Sequence, residues 1–362
     1  MTKISIRGSA FGVTYLLFLL FLIVVIEIAT RSLISVDWLS QNFFGRSETM
    51  WRLLWEQSAK EQRIDGEASL NQHDNYLGWR LKPNLDLTLW DNKRFQTNAD
   101  SIRGSRDYST EAAPGITRIA MIGDSFTMGE EVGETETFSY QLQQVLPQTE
   151  VINFGVGGYG IDQILLHMEQ HVVRYKPDVV VLGFVRDDMR RSMWSFRHHS
   201  KPILDMDNNL AIKNLPVPDS GTVSSQQRYR SRAWDILNVI WGEIRWRQGW
   251  FETDMVELGE AIMNRMLASI EAIGAEAVLV YLPHSEDLDM TYERFHSAEE
   301  QFFERVCADK QLRCLNLRGK FQLETSLGYR VKVGGHWLYN GHALVAKYIK
   351  SYFETEGLVT VE

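Results

Sequence analysis

The 362-residue sequence predicts an α/β protein, a parallel sheet with helices on both faces, preceded by one N-terminal membrane helix. Three observations predict this. Short, nearly uninterrupted apolar runs recur between residues 117 and 317 and alternate with amphipathic stretches, the pattern of strands buried on both faces. Residues 10–26 are seventeen consecutive residues without a charge. The hydrophobic content of 44% and charged content of 23% are those of a folded chain, long enough to bury a core without metals or disulfides. With 38 Lys+Arg against 47 Asp+Glu the net charge is −9, which argues against a nucleic-acid surface. Two cysteines exclude a disulfide scaffold and a four-cysteine zinc site.

The membrane segment comes first. AFGVTYLLFLLFLIVVI just reaches the roughly 17–25 apolar residues that a span requires. A cleaved signal has a shorter apolar core and a small-x-small exit, whereas the exit here runs from Glu27 to Arg31 through Ile-Ala-Thr. An uncleaved anchor over residues 1–30 is expected, with a cleaved signal and a buried core helix as the alternatives. Lys3 and Arg7 precede the span, which favours a cytoplasmic N-terminus and an exported, periplasmic body. Glu27 then falls at headgroup level, or contacts a partner inside the membrane.

Residues 31–115 read as a juxtamembrane helix (31–70) followed by extended and turn segments, LGWRLKPN and QTNADSIRG. The regular part spans 116–355. Its strands are expected at 117–123, 150–156, 177–184, 275–283 and 312–317, and its helices near 136–146, 161–175, 291–310 and 342–354. Residues 190–250, with PVPDSG and a Trp/Arg-rich helix, are too long for an ordinary βα connection and read as a lid or side subdomain. Cys307 and Cys314 can bridge only if their Cα atoms come within about 7 Å, so a disulfide and two separate thiols both stay open.

Ligands of open parallel sheets bind beyond the carboxyl ends of the strands, and four polar segments fall there. Gly123-Asp124-Ser125-Phe126 follows the first strand: a serine on a strand-to-helix turn is lifted out of the sheet toward backbone N–H groups that favour an oxyanion. The alternative is a plain helix cap. The glycine-rich Asn153–Gly160 follows the second strand but lacks the order and lysine of a phosphate loop. Arg186-Asp187-Asp188 with Arg190 and Arg191 follows the third and reads most simply as a surface ion-pair cluster, a site role staying open. His336 and Trp337 precede the last helix, with Asn340 as its expected N-cap and His342 in its first turn.

Taken in order, these blocks resemble the SGNH (GDSL) hydrolase superfamily over about residues 74–355. The lead-in LGWRLKPN…TNADSIRG is similar to that of its membrane-anchored bacterial members, which include relatives of the enzymes that move acetyl groups on exopolysaccharides. The resemblance implies a flavodoxin-like three-layer α/β/α sandwich and ester chemistry with no cofactor. It implies Ser125 as nucleophile and first oxyanion donor, Gly158 as second donor, and His336 as general base. Two positions depart from the family pattern. Arg186 stands where an asparagine completes the oxyanion hole, although the following acid is kept as Asp187; the guanidinium would replace that donor or bind an anionic substrate group. Gly334 stands where an acid two residues before the histidine would orient it, leaving a backbone carbonyl, Asp187 or Asp188 to hold the imidazole.

The resulting expectation is a membrane-anchored, extracytoplasmic serine esterase or O-acyltransferase acting on small acyl groups of surface glycans. Asp124, Arg186 and Trp337 are the expected substrate contacts. A degenerate scaffold that binds glycan or partners a membrane acyltransferase is the first alternative, and a lipase acting at the bilayer the second. Trp194, Trp234, Trp241 and Trp246 are candidates to stack on sugar faces, with core packing the commoner fate.

Overall fold

The apolar runs form one parallel sheet of five strands: β1 (Thr117–Gly123), β2 (Thr149–Asn153), β3 (Val179–Phe184), β4 (Glu276–Tyr281) and β5 (Arg313–Asn316). Their spatial order is β2-β1-β3-β4-β5, the flavodoxin-like doubly wound order, as expected. Met121 pairs with Asn153, and Gly123 with Gly183, so the carboxyl ends of β1, β2 and β3 lie level. The structure is a computed structural model and describes residues 5–60, 70–288, 296–331 and 335–359. The chain divides into two units, one of residues 65–195, 199–219 and 252–362 and one of residues 1–64, 196–198 and 220–251.

In the sheet unit, side chains alternate between faces. Ile119, Met121, Val151, Val179, Val181, Val278 and Val280 share a core with Phe138, Leu142, Phe321, Leu344 and Ile349. These last come from the helices Phe138–Val145, Arg318–Ser326 and Tyr339–Glu356. On the other face Phe184 packs on Phe302 and Phe303 of the helix Ala298–Asp309. The helix Trp250–Ala272 was not among the expected elements, yet its buried Phe251, Met255, Leu258, Ile262, Met266 and Ile270 recur every three or four residues. The helix expected at 291–310 begins at Ala298, capped by Ser297, and residues 291–295 of that expectation lie outside the described residues. The last helix begins at Tyr339 with Leu338 at the cap, so Asn340 is not the N-cap; its Nδ2 donates instead to Arg330 O, 3.3 Å away. Cys307 and Cys314 form a disulfide with Cα atoms 6.1 Å apart, because the turn at Gln311 folds the strand back beside the end of its helix.

In the other unit, Ser5–Leu33 is one helix. Its segment Gly12–Leu33 runs for 22 residues and holds an 18-residue stretch of mean hydropathy 2.6, none of it buried, so it is long and apolar enough to cross a membrane. The juxtamembrane stretch forms two helices, Val36–Phe43 and Glu48–Lys60, rather than one. Leu39, Met50 and Leu53 of these pack with Val239 of the helix Arg232–Arg247. That helix starts beside the apolar N-terminal helix, where Glu27 Oε1 accepts from Arg232 N–H at 2.8 Å. The segment 190–250 is therefore divided: the hairpin Ile203–Asp205/Ala211–Lys213 belongs with the sheet, and residues 220–251 belong with the N-terminal helices. Trp194 is buried, but Trp234 and Trp241 are 63% and 53% exposed, so core packing does not hold for those two.

Candidate active site

The turn carrying Ser125 is built by close backbone approach at the sheet's carboxyl edge. Gly123 and Gly183 face each other across β1 and β3, and Thr127 sits directly over both: a Cβ on either would lie 2.2 or 2.3 Å from Thr127 Oγ1. Asp124 caps the one-turn helix Ser125–Met128 by accepting from Phe126 N–H at 2.9 Å. Asn153, at the end of β2, donates to Thr127 O at 2.9 Å and accepts from Gly155 N–H at 3.0 Å. Gly155 in turn presses on the Ser125 turn, where a Cβ would meet Met128 N at 2.2 Å. Gly155→Ala must push this turn off the β2 loop. We expect a loss of about 1–3 kcal/mol in urea unfolding together with reduced turnover; an unchanged urea midpoint would show that the loop yields freely.

Arg191 ties three loops together. Its Nη1 donates to Asp124 Oδ2 (2.7 Å, after β1), Tyr159 O (3.0 Å, after β2) and Asp188 Oδ1 (2.9 Å, after β3). All of this is buried, which corrects the expectation of a surface ion-pair cluster. Two carboxylates share one guanidinium, so burial and the Asp124 charge push Asp188 well above the usual carboxylate range. Asp188 also accepts from Val185 N–H at 3.0 Å.

His336 meets Ser125 across 211 residues of chain, with Nε2 2.8 Å from Ser125 Oγ. Its ring packs against Phe126 at 4.9 Å between centroids. Two carboxylates flank it, Glu130 Oε2 at 3.6 Å from Nε2 and Glu131 Oε1 at 3.7 Å from Nδ1. Nδ1 is buried and has no hydrogen-bond partner among the described residues. Burial holds the His336 pKa below the ordinary imidazole value, against the opposing pull of the Asp124 and Glu131 carboxylates. Neither glutamate was among the expected site residues, although both directly follow the G-D-S-F-T-M-G block.

The other expected residues fall as follows. Gly158 lies on the loop after β2 at φ +78°, beside Trp79, whose Nε1 donates to the adjacent Gly157 O at 3.0 Å. Among the described residues no loop or cap hydrogen bond uses the amide of Ser125 or of Gly158. Asp124 and Trp337 are both fully buried and do not reach a substrate. This corrects their assignment as substrate contacts: Asp124 is consumed by the cap and Arg191, and Trp337 packs on Phe126 while donating to Pro283 O at 3.2 Å. Arg186 turns to Glu286 (2.9 Å) and Asp287 (3.6 Å), so its charge is met by protein carboxylates rather than left for an anionic substrate. Asp187 lies 3.9 Å from Arg191, and among the described residues the ion pairs of His336 are with Glu130 and Glu131. Gly334 lies outside the described residues. One His/carboxylate group of ligand-like spacing occurs among the described residues, His296-Glu300-Glu304, but Glu300 already serves Arg318 and Asn316.

No protein-family model matches the sequence, and no curated protein matches it. Solved structures similar to the chain include a lipase/acylhydrolase from Enterococcus faecalis, with 16% identity and a TM-score of 0.40 over 68% of this chain and 99% of that one. A lipolytic G-D-S-L protein from Veillonella parvula shares 12% identity at a TM-score of 0.39, over 66% and 98%. The acetyl xylan esterase AlAXEase shares 16% at 0.40, over 65% and 98%. Similarities this low add nothing to the strand order as an argument for the fold.

Proposed function

We propose that this chain is a membrane-anchored serine esterase or O-acyltransferase of SGNH type, acting on small acyl esters, acetyl foremost, of surface glycans. The observation that carries the reading is the 2.8 Å contact of His336 Nε2 with Ser125 Oγ at the carboxyl edge of a parallel sheet. Nε2 takes the hydroxyl proton as Oγ attacks the acyl carbonyl, and returns it to the departing alkoxide. Water, or an acceptor hydroxyl, then repeats the sequence on the acyl-serine. The amides of Ser125 and Gly158 are the oxyanion donors in this reading. The glycan rests on the resemblance of the lead-in sequence. The apolar segment Gly12–Leu33, preceded in the sequence by Lys3 and Arg7, supports an anchor with a cytoplasmic N-terminus, and the Cys307–Cys314 disulfide supports an oxidising, periplasmic compartment for the body.

An active-site-directed phosphonate should modify Ser125 in the full-length chain and spare His336→Gln. Failure to label Ser125 would count against the reading. The neutral imidazole is the base, so activity is lost as pH falls through the His336 pKa. That pKa is depressed, and the acid limb of kcat/KM for p-nitrophenyl acetate should lie below the ordinary histidine value of about 6.5. A midpoint at or above that value would contradict the buried, neutral base. The scaffold alternative, including a partnership with a membrane acyltransferase, is favoured by Gly334 and by the orientation of Arg186. It predicts no phosphonate labelling.

A further inference from the structure

We propose that Glu131 is the carboxylate that positions His336, taking the part of the acid for which this sequence has Gly334. The inference rests on the serine-esterase reading and supplies the third member of its site. Glu131 Oε1 stands 3.7 Å from His336 Nδ1, a buried nitrogen with no hydrogen-bond partner among the described residues. A buried ring N–H is costly to leave unpaired, and a contraction of roughly 0.5–1 Å makes this contact a hydrogen bond. Catalytic hydrogen bonds are often long without substrate and tighten in the complex. Glu131 also holds a left-handed backbone, φ +67°, where glycine or asparagine is the usual choice. Unfavourable backbone of this kind gathers at functional sites. Gly335 lies beside the carboxylate, a Cβ there falling in ordinary van der Waals contact at 3.6 Å from Glu131 Oε1.

The other acids are engaged elsewhere or on the wrong edge. Asp188 is bonded to Arg191 and Val185 N–H. Asp124 is bonded to Arg191 and Phe126 N–H. Glu130 faces Nε2, which must stay open to the Ser125 proton. Accepting from Nδ1–H, Glu131 would fix the tautomer whose Nε2 lone pair points at Ser125 Oγ and would stabilise the imidazolium once formed. The charged groups around the ring are Asp124, Glu130 and Glu131 on one side of the balance and Arg191 on the other, with His342 also close enough to interact. Removing Glu131 therefore lowers the His336 pKa further.

The test uses the full-length chain in detergent micelles with p-nitrophenyl acetate. Glu131→Gln should cut kcat roughly 10²–10⁴-fold with KM within about threefold, move the acid limb to lower pH, and be partly rescued by Glu131→Asp. Glu131→Gly should lose the same activity yet melt no lower than wild type, because glycine accepts the left-handed backbone. Unchanged kcat and an unmoved limb in Glu131→Gln overturn the proposal. If wild type shows no Ser125-dependent turnover, the esterase reading fails separately, and ¹⁵N-histidine NMR still decides the positioning role. A His336 with an Nδ1-protonated tautomer and a higher pKa in wild type than in Glu131→Gln supports it; identical tautomer and pKa overturn it.

Discussion

Ser125→Ala and His336→Gln should each lower kcat/KM for p-nitrophenyl acetate by roughly 10³-fold or more, and the double variant should fall little further than either single one. In the proposed reading the two side chains act as one unit. With Nε2 2.8 Å from Oγ, the serine is a nucleophile only while the imidazole can take its proton. The residual rate then comes from whatever the backbone amides and the pocket still offer to the oxyanion. Initial rates of the four proteins, corrected for spontaneous hydrolysis, decide this. A multiplicative loss in the double variant would mean that the residues act independently and that the Ser–His pair is not the catalytic unit. Neither substitution should unfold the protein, since neither side chain anchors the core, and melting curves serve as the control.

Arg191→Met should destabilise the sheet unit by about 3–5 kcal/mol. Its guanidinium is the shared partner of Asp124 and Asp188, both essentially inaccessible to solvent, and its removal leaves two buried carboxylates without a cation. Methionine fills similar volume, so the loss reports charge rather than cavity. Turnover should fall as well, because Arg191 also holds Tyr159 O and so joins the glycine loop to the turn that carries Ser125. Adding Asp188→Asn should recover part of the stability: the amide keeps an acceptor for Val185 N–H and sheds the unpaired charge. Urea unfolding of the two variants checks both statements. A loss under about 1 kcal/mol for Arg191→Met would mean that water or rearranged side chains satisfy the two acids.

Much of this was legible in the order of residues. Buried strands announce themselves by continuous β-branched runs, and the connections between parallel strands are long enough to require helices, so the layers of the sandwich followed. Ser125 and His336 were marked out as candidates by the resemblance of the ordered blocks, one just past β1 and the other just before the last helix. The helix Trp250–Ala272 also carries a three-to-four-residue apolar repeat legible in the sequence. Where acids and arginines crowd together, the chain alone misled. Arg186, Asp187, Asp188, Arg190 and Arg191 look like a solvated charge run, yet they part company. Arg190 pairs with Glu299, Arg186 with Glu286, and Arg191 with Asp124, 67 residues away.

Periodicity and turn chemistry are properties of neighbouring residues, so the strands, their helices and the apolar N-terminal segment were determined along the chain itself. The fate of each charged side chain was not. Whether a carboxylate meets water, a guanidinium or an imidazole depends on which loops the strand order brings level at one edge of the sheet. That edge gathers residues separated by dozens to hundreds of positions. There Asp124 became a buried cap and ion-pair partner instead of a substrate contact, Trp337 became core, and Glu131 came to stand beside His336. Charge pairing in a buried edge is set by distances of a few ångströms, and only the folded arrangement of the loops supplies those.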